Sequence, residues 1–197
     1  MKHLILAGGR PWSGQGEGKH WVEALFSHTA KDDIHVAYCL FAEEVSHWPE
    51  VLLTNQELIT KHAGSHSVSF QTLEHDTFFD VSAWADVIVI VGGDPARLRE
   101  ALEQYGDLMQ VWDGKTISGS SAGADIMVHK YIYLQNKAVQ EGFGWIKANF
   151  IPHWQHSGWK DWSTKDWEWA AGELAGMPGG APLLCVREGD FVEVAVQ

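Results

Sequence analysis

The sequence is poor in several things that would have decided its class at once. Of 197 residues only two are cysteine, Cys39 and Cys185, both in apolar, strand-like runs (YCLF and LLCV). So few thiols, so placed, exclude a disulfide framework and a cysteine-rich metal site, and they read as buried hydrophobes in a reducing compartment. Basic residues are also scarce: 14 Lys and Arg face 26 Asp and Glu, a formal net charge of −12. That balance argues against nucleic-acid or anionic-membrane binding, both of which need a cationic surface. No apolar run approaches the ~18 residues of a membrane span, and MKHLILAGG is too short in its apolar part for a signal peptide. The cytoplasm is the expected compartment. Repeats and low-complexity tracts are lacking as well, and 197 residues suggest one domain over 1–197.

What is present is an alternation of short apolar runs with helix-period segments. Strands are expected at His3–Ala7, Ile34–Leu40, Ser67–Gln71, Asp86–Val91, Thr116–Gly119, Asn149–Pro152, Pro182–Val186 and Phe191–Val196. Helices are expected at Lys19–His28, Ser46–His62, Pro95–Tyr105, Ala122–His129 and Thr164–Ala175. Asp94 should cap the third helix with Pro95 in its first turn, and Ser163 or Thr164 should cap the last. Continuous apolar runs such as VIVIV suit parallel strands covered on both faces. The alternation predicts an α/β fold with a doubly wound, mostly parallel sheet flanked by helices. The last two strands, meeting across Arg187-Glu188-Gly189-Asp190, are expected to form a C-terminal β-hairpin.

Chemistry concentrates in TISGSSAGADIMV, Thr116–Val128. Gly119-Ser120-Ser121-Ala122-Gly123 fits G-x-S-x-G between an apolar run and a helix-like segment. A nucleophile on so sharp a turn needs small neighbours, and the helix start beyond it offers free N–H groups to an oxyanion. Ser121 is the expected nucleophile. His153, in NFIPHWQH, ends an expected strand and is the candidate base. Gly92-Gly93, after VIVIV, can supply a second oxyanion donor. His153 and His156 form H-x-x-H without further ligands, so no metal and no cofactor is expected. LAGGRPWSGQGEGK departs from the P-loop pattern, because His20 follows Lys19. It reads instead as a glycine loop beside the cleft, with Arg10 or Lys19 able to meet a substrate carboxylate. Five of the eleven tryptophans fall between Trp154 and Trp169, on packing faces or as an aromatic rim to the cleft.

At VIVIVGGDPARL, SGSSAGAD and EGFGWIKANFIPHW the chain resembles the peptidase E and cyanophycinase family of serine hydrolases. The resemblance implies a class I glutamine amidotransferase-like fold, Ser121 as nucleophile, His153 as base, and N–H groups of Gly93 and Ala122 as the oxyanion hole. It implies a small peptide or amide substrate, in the manner of an aspartyl dipeptidase, cleaved through an acyl-enzyme. The family also carries an acidic residue about 15 positions after the serine, where this chain has Gln135-Asn136. Asn136 is the positional candidate to orient His153, with Glu141 as a substitute if the intervening loop folds back. Two rivals remain at this level. One is a binding or regulatory protein whose triad has decayed; the other is an esterase-type hydrolase, disfavoured because only 32 residues separate Ser121 from His153.

Overall fold

The computed structural model describes residues 2–196. In chain order the elements are β1 (Lys2–Ala7), α1 (Lys19–Phe26), β2 (Asp33–Cys39), α2 (Trp48–His62), β3 (Ser67–Thr72), α3 (Phe78–Trp84), β4 (Val87–Ile90), α4 (Pro95–Glu103) and α5 (Leu108–Val111). The second half adds β5 (Thr116–Ser120), α6 (Ala122–Asp125), β6 (Val128–Tyr133), β7 (Ala138–Glu141), β8 (Ile146–Ile151), α7 (Thr164–Ala175), β9 (Leu183–Cys185) and β10 (Phe191–Val196).

Two sheets form where one was expected. The larger has the order β10-β1-β5-β4-β2-β3, parallel except for β10, which runs antiparallel to β1. The apolar runs explain its double covering. Leu4, Leu6, Ile88 and Ile90 fall in one core cluster with residues of α3 to α6, while Ile5, Val87 and Val89 fall in another with residues of α1 and α2. Alternate side chains of one strand thus fill opposite cores, as parallel strands buried on both faces require. The smaller sheet has the order β7-β6-β8-β9, with α7 packed on it through Trp167, Ala170 and Leu174.

Caps act where the sequence places them. The Asp94 carboxylate accepts from the N–H groups of Ala96 and Arg97 at 2.8 and 3.3 Å. Ser163 and Asp166 close a reciprocal capping box on α7.

Two further expectations fail, and one hairpin was not foreseen. The helix foreseen over Ala122–His129 ends at Asp125, and the chain turns directly into β6. Its apolar residues Ile126, Met127 and Val128 are buried, but as the entry to a strand. β6 and β7 then pair antiparallel across a four-residue tip, Leu134–Lys137, which is a hairpin the sequence reading missed. The foreseen C-terminal hairpin does not exist. β9 pairs with β8 in the small sheet and β10 with β1 in the large one, so Arg187–Asp190 crosses between sheets.

Candidate active site

Ser121 stands between β5 and α6 with φ 49° and ψ −115°, a conformation L-residues rarely adopt. The flanking glycines permit it. A Cβ on Gly119 would strike the backbone of Gly123, and one on Gly123 would strike the Ile90 carbonyl of the neighbouring strand. Only hydrogen fits at either place. The Ser121 N–H is already used, donating to Ala7 O at 3.0 Å. The N–H groups of Ala122 and Gly93 have no backbone acceptor among the described residues, and both lie where β5 and β4 end.

His153 follows β8, two residues past its end, also at positive φ (50°). Its N–H donates to Gly8 O at 2.7 Å, which ties the small sheet to the end of β1. The side chain meets the elbow: the Ser121 hydroxyl lies 2.9 Å from His153 Nε2. The two residues separated by 32 positions in sequence are therefore brought together.

Asn136 is not brought to the site. It sits exposed at the tip of the β6–β7 hairpin and makes no hydrogen bond to His153, although its neighbour Gln135 lines the cleft. Glu141 is also elsewhere, exposed on β7 and bonded to Lys130 Nζ at 2.9 Å. The partner of His153 Nδ1 is Glu188, through its Oε2. Glu188 comes from the crossing between β9 and β10, and its Oε1 accepts from the Arg10 N–H at 3.1 Å. Gly9 makes the room, since a Cβ there would meet Glu188 Oε2 and, at 2.7 Å, His153 Nδ1.

The pair is shielded, with side chains of His153 and Glu188 only 15% and 13% exposed. Burial alone would raise the Glu188 pKa. The hydrogen bonds from His153 and the Arg10 N–H, with the charges of His153 and His156, outweigh it and hold the carboxyl below its ordinary value. Glu188 is therefore an ionised acceptor at neutral pH.

Sequence reasoning missed Glu188 because the chain around it reads as a hairpin turn. One signal was available: it lies just past a strand in an α/β protein, where functional groups gather.

A cleft of about 550 Å3 opens over Ser121 and His153. Arg10 and Trp12 line it from the loop after β1, and Glu43 and Glu50 line it as well. Lys19 does not; it reaches Glu23 on α1 at 3.6 Å. Of the clustered tryptophans, Trp162 and Trp167 are buried against the small sheet, while Trp159 stands 5.5 Å from the His153 ring, centroid to centroid. Both readings of that cluster hold, for different members. The one three-residue metal-ligand cluster among the described residues, His3, His28 and Glu193, lies around the start of β1.

Among solved structures, a peptidase from an acI-B1 Actinobacterium is similar over 98% of this chain and 83% of its own, with a TM-score of 0.68 and 19% identity. A protein assigned as peptidase E from Listeria monocytogenes EGD-e is similar over the whole of both chains, with a TM-score of 0.63 and 16% identity. At such identity these neighbours speak for the fold, a mostly parallel α/β arrangement. No curated protein matches the sequence. The profile of peptidase family S51 matches residues 4–195, nearly the full length. The chain belongs to peptidase family S51 and is a serine-type peptidase.

Proposed function

We propose that this peptidase cleaves a small peptide or amide bond with Ser121 as nucleophile, His153 as general base and Glu188 as the group that orients the base. The observation carrying this is the unbroken chain from the Ser121 hydroxyl through both ring nitrogens of His153 to a carboxylate. With Glu188 ionised, the ring proton sits on Nδ1 and leaves Nε2 free to accept from Ser121. Serine Oγ attacks the carbonyl carbon as its proton passes to Nε2. The imidazolium is stabilised by the Glu188 charge, then hands that proton to the leaving amine. Water, deprotonated by the same nitrogen, releases the acyl group and restores the serine.

The oxyanion falls to the N–H groups of Gly93 and Ala122, whose free hydrogens support that role. Each such donor is worth about 3 kcal/mol of transition-state stabilisation. Arg10 is the cation in the cleft wall nearest this machinery and the candidate receptor for a substrate carboxylate on the leaving side. The reading of a decayed triad drew on Asn136, and a carboxylate on His153 Nδ1 removes its motive.

Three broader statements belong to the same proposal. Residues 1–197 act as one domain, because the proposed triad draws on both sheets. The kinship with class I glutamine amidotransferases is supported by a nucleophile at a strand-to-helix turn of a mostly parallel sheet. The cytoplasm as compartment is supported by two free thiols; no helix among the described residues is long and apolar enough to cross a membrane.

The test is a fluorophosphonate probe together with Ser121→Ala. The native protein should label at Ser121 and hydrolyse dipeptides. The variant should do neither while unfolding at a similar denaturant concentration. Turnover that survives in the variant would dismiss the mechanism.

A further inference from the structure

Behind Ser121 a narrow recess opens from the cleft, lined by Gly93, Ser121, His153, Asp125, Tyr133 and Gln135, with Trp159 and prolines closing its sides. Asp125 is the residue without an evident purpose there. It ends the short helix after the elbow, and its N–H donates to Ser121 O at 2.8 Å. The residue is 4% exposed, and its Oδ1 is buried with no hydrogen-bond partner. A polar side chain left unpaired in the interior destabilises the fold. No lysine or arginine lines the recess to offset it. Leucine or alanine would serve packing better, so the position is wasteful unless something enters to meet the carboxyl.

We infer that this recess is the subsite for the acyl-side residue of the substrate, and that Asp125 selects there a small, uncharged, hydrogen-bonding side chain, that of serine. The inference rests on the serine-hydrolase reading above and deepens it. An acyl group on Ser121 Oγ, its oxygen turned to the N–H groups of Gly93 and Ala122, has its α-carbon beside the recess, which Gly93, Ser121 and His153 bound together. Burial pushes the Asp125 carboxyl well above the ordinary carboxylate range, so it holds its proton and can donate as well as accept. A serine hydroxyl satisfies it. A substrate carboxylate would be buried beside it with no lysine or arginine among the lining residues, at a high desolvation cost. An aliphatic side chain would leave Asp125 unpaired. The recess is also tight, with space for little beyond one water-sized group before walls must shift. The aspartyl preference that the family resemblance suggests is therefore not the one this chain is built for.

The experiment is a panel of dipeptides Ser-Leu, Ala-Leu, Asp-Leu and Leu-Leu, assayed on the native protein, on Asp125→Asn and on Asp125→Leu. Fluorophosphonate labelling of Ser121 is followed in parallel. Native protein should show kcat/KM for Ser-Leu about 100-fold above Asp-Leu and at least about tenfold above Ala-Leu and Leu-Leu. Asp125→Asn, which still donates and accepts, should keep that order. Asp125→Leu should bring Ser-Leu down to Ala-Leu to within about threefold while Ala-Leu turnover and Ser121 labelling persist, a selective loss that a general disturbance of the site would not give. Native protein that labels yet cleaves Asp-Leu or Ala-Leu as fast as Ser-Leu, or cleaves none of the panel, overturns the subsite assignment and leaves the hydrolase reading standing. Protein that neither labels nor cleaves overturns both. If neither variant folds, the native order of preference decides alone.

Discussion

In the proposed mechanism a single carboxylate decides how well the histidine works. There Glu188 fixes the tautomer of His153 and stabilises its charged form, so Glu188→Gln should lower kcat by about 10³–10⁴, the scale of the analogous loss in serine proteases. Asn136→Ala, at an exposed hairpin tip, should change kcat/KM by less than about twofold. Dipeptide kinetics on both variants test the pair together. The same carboxyl also couples folding to acidity. Its folded pKa lies below its ordinary 4.5, so its contribution to stability is complete above that value and is lost as pH falls through the folded pKa. Glu188→Gln should lack that part of the acid limb in a pH series of urea unfolding. Asp125 has the opposite sign. Its folded pKa is raised, so stability is lost as pH climbs from the unfolded value near 3.8 toward the folded one. Asp125→Leu should therefore raise Tm by about 2–4 °C near neutrality, and by less in acid.

At the scale of elements, glycines in the same protein should respond in opposite directions. Gly123→Ala drives a methyl into the Ile90 carbonyl across the sheet and should cost about 3 kcal/mol or more. Gly172→Ala, on the exposed side of α7 with nothing within 4 Å, should stabilise by about 0.5–1 kcal/mol. Denaturant unfolding measures both. What the sequence could and could not reveal also divides by element. The buried strands of the large sheet were legible because continuous apolar runs have few other uses, and α4 and α7 because Asp94 and Ser163 announce them. The elbow was legible because its small residues are forced by contact with two strands. β6 and β7 were hidden. Ile126, Met127 and Val128 continue the apolar spacing of a helix, and nothing local says that the chain must turn after Asp125. Glu188 was hidden for a tertiary reason. Arg-Glu-Gly-Asp between two apolar runs has the composition of a hairpin turn, and only the pairing of β9 with β8 and of β10 with β1 reveals a crossing. A carboxylate positioned by which sheet its neighbours join leaves no mark on spacing.

On the scale of the molecule, the proposed triad is a seam. Ser121 follows β5 of the large sheet, His153 follows β8 of the small one, and Glu188 hangs on the strand connection that joins them. The loop after β1 holds the seam shut: Gly8 accepts from the His153 N–H and donates to Asp190 O, and the Arg10 N–H reaches Glu188. Deleting residues 191–197 removes β10, the antiparallel neighbour that steadies β1, and should abolish fluorophosphonate labelling even where circular dichroism retains most helical signal. The left-handed backbone of Ser121 and of His153 bears on heat resistance as well as on chemistry. Each is a conformational penalty of about 1 kcal/mol or more that a glycine would remove. Ser121→Gly should therefore outlast Ser121→Ala on heating, so the proposed nucleophile holds its place at a cost to the fold.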